Sequence, residues 1–591
     1  MRVADIGRRR ILLLGPIMGG VLAFAQKAKC IRGMKAMLTR RVFHGWLMAS
    51  AAAMVLPRSG VAANAGAQAE ADIWLNRLTF GATEASRAAF AKLGPQAWLE
   101  AELARPISDA GLEDRLAKAR LHIVYEDGSD GEGLTWKGLD EMRGLTALAA
   151  DPADLVRLID WTIGMDYGER ARPATEVVAA SMIRAVHAQA QLREVMTQFW
   201  HDHFNVNSQK NEFTAAFFAS HDAALREHAF GNFRQMLGVV ARQPSMLYYL
   251  NNDESRASPA NENYARELLE LHTLGAGNYL NDRYSDWHQV PGAAEGMAQG
   301  YLDLDVYEVA RAFTGWSVGD GRYLTETENA PKTGRFHYIE AWHDPYQKRI
   351  LGVEFPPNRA PLADGEQVLD ILARHPGTAQ FICTKIARRF LADVPDAALV
   401  GRMAEVFLAR TDAPDQIAQV LRALTLSPEF AATPPQKLRR PFEVLAALYR
   451  ATGAEIVGVE NDFHGQLVRA GWQQHEYGPP TGHSDMAEAW TGASTLNRTV
   501  DLALYAHEDW FATASADLAA MGDPAQTLAD FAATWAARLI GPTGADTVRS
   551  AIATLDVDAA AIVGEMSPDD RKGVATAAIA FAALTPEFLL R

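Results

Sequence analysis

Apolar residues recur at three- and four-residue spacing through most of the chain, which is the pattern of amphipathic helices. From 71 to 103 the repeat begins with Ile73, Leu75, Leu78 and Phe80. From 175 to 204 it runs through Val177, Val178, Met182, Val186, Leu192, Val195, Met196 and Phe199, with no Gly or Pro. That spacing predicts one long helix. Further helices are expected over 378–392, 398–409, 414–425, 440–452, 495–515, 525–539 and 567–583. Gly, Asp and Pro interrupt the pattern at 126–133, 251–260, 275–300 and 318–335. The strand signals are His337-Tyr338-Ile339 and 349–355, which could pair as a small hairpin. Ser427-Pro428-Glu429 and Thr585-Pro586-Glu587 each follow an alanine-bearing helix and start a new turn. The expected fold is mainly α, a multi-helical globular body with at most a small β-hairpin.

The composition fits a folded protein: 591 residues, 48% hydrophobic and 22% charged. The formal net charge of −15 hides an asymmetry. Residues 1–65 hold eleven Lys/Arg and one acid, Asp5. Without them the chain carries 46 basic and 71 acidic residues, a net charge of −25. Such a body repels phosphate backbones and anionic lipid, which argues against nucleic acid as a partner. The basic segment reads as an export signal. Arg40-Arg41-Val42-Phe43 precedes an apolar stretch, 45–56, and then Ala63-Asn64-Ala65, as in twin-arginine leaders. A general secretory signal with two arginines is the alternative. A second apolar run after Arg8-Arg9-Arg10 suggests a true start at Met34 or Met37. Removal of the leader leaves no stable membrane insertion and a periplasmic or secreted protein. It also leaves Cys383 as the lone thiol, read as a buried apolar residue. The expected division is 1–65 signal, 66–190 N-terminal helical region, 191–376 motif-bearing region and 377–591 C-terminal helical region.

Three polar clusters could carry chemistry. Phe199-Trp200-His201-Asp202-His203-Phe204 closes the long helix. His201 and His203 point about 200° apart on a helix, but turn toward one ion if the end frays; otherwise they cap the helix. Asn261 and Gly275 bound a helix bearing Asn263, Glu267 and Glu270, with the two carboxylates at three-residue spacing. Paired carboxylates serve a metal or acid–base work; an exposed Glu262-Arg266-Glu270 ladder is the plainer reading. His272 is read as a core-edge residue. In Trp342-His343-Asp344-Pro345 the carboxylate could orient the imidazole, or the pair forms a simple turn. Arg311 is read as a surface ion pair, and the 478–483 Pro-Pro loop as scaffolding. Phosphate-binding loops, dinucleotide fingerprints, His-Glu-x-x-His and Gly-x-Ser-x-Gly are absent from the sequence.

Taken with Leu78-Thr79-Phe80-Gly81, Met246-Leu247-Tyr248-Tyr249, Asp305-Val306, Ala310-Arg311-Ala312-Phe313-Thr314-Gly315-Trp316, His375-Pro376, Pro441 and Pro479-Pro480, these motifs resemble a bacterial exported family catalogued as domain of unknown function 1800. The segment 278–301 looks like an insertion, and Thr481-Gly482-His483 stands where the family tends to have Gly-Trp. The resemblance implies export, a helical fold and pairing with a co-exported protein of the sulfatase and phosphatase type. It implies no activity. Two readings follow. One is a metal-dependent periplasmic enzyme, hydrolase-like. In it His201, His203, Glu267 and His343 are metal ligands, Glu267, Glu270 and Asp344 are catalytic groups, and Glu270 could also reach the metal. Their N and O donors suit zinc, manganese or iron. The other is a non-catalytic helical scaffold whose polar residues form a buried network.

Overall fold

A computed structural model describes residues 63–456, 467–492, 523–553 and 558–591, with isolated positions between them. The leader, both candidate start residues and most of the helix expected over 495–515 lie outside the described residues. The chain folds as a mainly α body. Among the described residues the strands form only two-stranded antiparallel pairs.

The long N-terminal pattern is three helices, Ala63–Leu78, Glu84–Leu93 and Pro95–Ala104. The first break follows from packing. Gly81 has φ +142, and a Cβ there would lie 2.9 Å from that of Ala447 on the Pro441–Thr452 helix. Thr83 then caps the second helix through the Ser86 amide. The 175–204 pattern is also broken, into Arg172–His187 and Gln191–His203. No Gly or Pro marks this break. The buried Gln191 amide caps the first helix, donating to the carbonyls of Ala185 and Ala188 at 3.1 and 2.9 Å. Its oxygen accepts from the Phe80 amide at 3.3 Å.

The expected strand pairing is corrected. His337 and Tyr338 belong to Lys332–Tyr338, which pairs with Trp316–Asp320. The 349–355 run closes on itself, Lys348–Ile350 against Val353–Phe355. A further hairpin, Arg120–Tyr125 with Leu139–Gly144, exposes half of its positions; Leu121, Ile123 and Tyr125 alternate in its first strand, a signal the sequence reading did not use. The C-terminal helices Pro376–Phe390, Ala397–Ala409, Gln416–Thr425, Pro441–Thr452 and Pro568–Ala583 stand where periodicity put them. Ser427 and Thr585 are the N-cap residues of Pro428–Ala432 and Pro586–Leu589.

One continuous core draws on residues from Ala71 to Leu502 and includes the fully buried Trp200, Trp316 and Trp472. A second core centres on Phe531, Trp535 and Phe581. The Pro441–Thr452 helix joins them. Phe442, Leu445 and Tyr449 enter the first, and Val444 and Leu448 the second. Each such buried side chain contributes roughly 1.5–3 kcal/mol. Cys383 is a free thiol in the first core, pushed up by burial. No helix among the described residues is long and apolar enough to cross a membrane.

Candidate functional site: a buried polar centre and a π-turn

Every residue of Gln191–His203 is buried, so its polar side chains must find partners inside the protein. The helix is regular to His203, and its three final polar residues diverge. His201 Nε2 lies 3.0 Å from Asp222 Oδ1, and Arg184 donates to Asp222 Oδ2 at 2.6 Å. Burial alone would raise the Asp222 carboxyl, but Arg184 and His201 outweigh it and hold it well below the usual carboxylate range. The His201 ring sits 4.2 Å from that of His475 and 5.8 Å from that of His221. Burial, then His201, keeps His475 well below the ordinary imidazole value and His221 at about 3. His475 Nε2 is 2.8 Å from Ser181 Oγ and 2.9 Å from the Gln474 amide nitrogen. That amide also donates to Gln198 at 3.0 Å. A cavity of about 20 Å³ lies among Ser181, Gln198, His201, Asp222 and His475, enough for about one water.

Asp202 faces a different set. Its carboxylate accepts from Arg440 at 2.7 Å. Arg440 also reaches Glu443 at 3.2 Å, and Arg389 and Arg591 reach Glu443 at 2.5 and 3.4 Å. Three guanidiniums outweigh burial and hold the Glu443 carboxyl well below its ordinary value. Asp485 stands 3.5 Å from Arg389, and Lys437 pairs with Asp393. The 478–483 loop is clamped onto this centre. Asn205 donates to the Tyr477 and Pro479 carbonyls at 3.0 and 2.8 Å. Gly482, at φ +68, lies so close that a Cβ would fall 2.0 Å from the Asp202 carbonyl oxygen.

His203 donates from Nε2 to the His272 carbonyl at 3.1 Å, and its Nδ1 has no partner among the described residues. His272 Nε2 is likewise unpartnered. The two rings are 6.2 Å apart. His272 is buried, deeper than the core edge expected. The helix bearing it is corrected too. Glu262–Glu267, capped by Asn261, passes into a π-helix, Leu268–Thr273. Gly275, at φ +85, follows it. Glu267 and Glu270 flank the junction, partly buried. Neither carboxylate makes a hydrogen bond or ion pair among the described residues. Burial, then Glu270, raises the Glu267 carboxyl against Arg266. The buried Tyr301 hydroxyl, raised by burial and then by Glu270, is also unpartnered.

His343 and Asp344 separate. His343 Nδ1 is 3.0 Å from the Thr314 carbonyl and Nε2 is 3.3 Å from Asp364. Asp344 does not orient the imidazole, as the sequence suggested, but binds Arg311 at 2.7 Å. Arg311 is therefore a largely buried pair and not a surface one.

Of the residues named from sequence as metal ligands, His201, His203 and His343 hold separate partners, and Glu267 makes no hydrogen bond or ion pair among the described residues. Among the described residues no group of three or more His, Cys, Asp or Glu could hold a metal ion. The side chains present do not fit a shared zinc, manganese or iron centre of His201, His203, Glu267 and His343. Sequence reasoning missed Ser181, Arg184, Asp222, Lys385, Arg440, Glu443 and His475. One signal was available: Glu443 stands three residues after Arg440 ahead of an apolar helix, the capping-box spacing. A larger, open depression of about 520 Å³ lies by Arg402, Arg422 and Glu429. Its charges are already paired, Arg402 with Glu429 and Arg422 with Glu100, each at 2.6 Å.

The family model described as "Protein of unknown function (DUF1800)" matches residues 73–590, and the chain belongs to that family. No curated protein and no solved structure matches it.

Proposed function

We propose that this member of the family is an exported helical scaffold that holds a partner protein, and that its motif residues serve packing and not metal chemistry. One observation carries the reading. His201, Asp202, His343 and Asp344 are held by partners distant in sequence, so that they lock segments together. The expected partner is a co-exported protein of the sulfatase or phosphatase type. A surface suited to it is the Arg120–Tyr125/Leu139–Gly144 hairpin, where Val124 and Met142 are 52% and 56% exposed. The test is co-elution of the exported chain with that partner, alongside elemental analysis without chelators. Co-elution lost in Val124→Asp/Met142→Asp, with no stoichiometric metal, supports the scaffold. Stoichiometric metal lost in His201→Ala/Glu267→Ala overturns it in favour of the metalloenzyme.

A second reading rests on Glu267 and Glu270. Two carboxylates without partners, one of raised pKa, suit general acid–base catalysis without a metal. Hydrolytic turnover that persists after chelation and disappears in Glu267→Gln supports it; turnover unchanged in that variant excludes it.

A further inference from the structure

Ser181 sits on the Arg172–His187 helix, three residues before Arg184, so the two share one face. Both line the cavity of about 20 Å³, together with His475. Ser181 Oγ is 2.8 Å from His475 Nε2. The direction of that bond follows from its neighbours. The Trp472 indole N–H can only donate, and it lies 2.6 Å from the Gln474 amide oxygen. That fixes the amide, whose nitrogen then faces Gln198 Oε1 at 3.0 Å and His475 Nε2 at 2.9 Å. His475 Nε2 is therefore an acceptor, with the ring proton on Nδ1. It draws the Ser181 hydroxyl proton, for which the Val177 carbonyl, also at 2.8 Å, competes. His475 holds its place at a backbone cost. Its φ is +60, and the Ser208 amide pins its carbonyl at 2.8 Å. Non-glycine residues in that region cluster at working sites. Beside the pair, Arg184 spends one nitrogen on Asp222, while its buried Nε–H has no partner among the described residues. Ser181 is partly exposed whereas His475 and Arg184 are buried, so the pair stands between solvent and the packed interior.

A hydroxyl bonded to a bare imidazole nitrogen, with a spare N–H donor on the same cavity, is the arrangement of a nucleophile, its base and an oxyanion donor. We propose that Ser181 and His475 form an acyl-transfer site that cleaves small acetyl esters. Ser181 Oγ bonds to the ester carbonyl carbon as its proton passes to His475 Nε2. The C=O π pair moves to oxygen, where the Arg184 Nε–H donates to it. The C=O bond re-forms, the bond to the alcohol oxygen breaks, and His475 returns the proton to the departing alcohol. Water then attacks acetyl-Ser181 by the same route, which releases acetate and restores the hydroxyl. The cavity's size sets the substrate. It takes the carbonyl end of an acetyl group and leaves no room for a longer acyl chain, so the alcohol stays on the solvent side. This site is separate from Glu267 and from the proposed partner surface.

The experiment is cleavage of p-nitrophenyl acetate by the purified full chain, with acid quenching in the first turnover and peptide mapping. An acetyl group on Ser181 supports the proposal. The acetate ester should be cleaved at least about tenfold faster than the butyrate ester. Ser181→Ala should reduce nitrophenol release to the rate of the chain's surface amines, and His475→Gln should lower it about a hundredfold with the circular dichroism unchanged. Release unchanged in Ser181→Ala, or butyrate cleaved as fast as acetate, overturns the proposal. If His475→Gln does not fold, Ser181→Ala and the ester preference decide.

Discussion

Two regions a few residues apart treat charged side chains in opposite ways. Around Asp202 and His201, carboxylates and cations are matched at 2.5–3.4 Å across segments distant in sequence. Around the π-turn, Glu267, Glu270 and Lys385 make no hydrogen bond or ion pair among the described residues, and Tyr301, His203 and His272 each keep one atom without a partner there. Unmatched buried groups cost stability, and a π-turn is itself unusual outside working sites. The contrast separates groups that hold the fold from groups left available for chemistry or binding.

Breaking the matched region should have the largest effect. Glu443→Ala leaves Arg389, Arg440 and Arg591 facing one another without their carboxylate. The expected loss is about 3–5 kcal/mol, read by urea unfolding; a loss below about 1 kcal/mol would place the centre among weak surface pairs. Asp222→Asn should follow, costing about 3 kcal/mol as Arg184 loses its charge partner. Its measurement is the thermal midpoint.

The pH dependence has a worked sign. His203, His221, His272 and His475 are held below their ordinary value in the folded chain, so the unfolded chain binds more protons once pH falls below about 6.5. Stability should begin to drop there. Asp222 and Glu443 are depressed carboxylates, so their contribution is full above about pH 4 and is lost below it. Two acid steps in the unfolding free energy are expected, with the lower one reduced in Asp222→Asn. A single step near pH 4 would show that the buried imidazoles do not titrate this way. The smallest effect belongs to the unmatched region. Glu267→Gln should change stability by no more than about 0.5 kcal/mol, since it breaks no bond; a loss of several kcal/mol would mean that the carboxylate has a structural partner.

Much of the helical frame was legible, because periodicity reports burial. The C-terminal helices and the Ser427 and Thr585 starts follow from local pattern alone. The break at 188–190 was not legible, since Gln191 makes it through side-chain contacts and the residues there are ordinary helix formers. The 120–144 hairpin was missed because only its first strand, with Leu121, Ile123 and Tyr125, alternates, while its partner strand LDEMRG does not. The site was half legible. His201, Asp202 and Glu267 stood out as polar residues in apolar runs, but periodicity cannot tell which partner each meets. Asp222, Arg440 and His475 come from segments whose proximity only the packed fold creates. The π-turn after Glu267 also changes the helical register from which the Glu267–Glu270 face was read.

The claim that the Asp202 centre is a structural lock is most directly tested by a double-mutant cycle on Asp202→Asn and Arg440→Met, read by urea unfolding. Each single change should cost about 3 kcal/mol, and the double variant far less than their sum, because removing both partners leaves no unpaired charge between them. Single variants as stable as the wild type, or strictly additive losses, would contradict it.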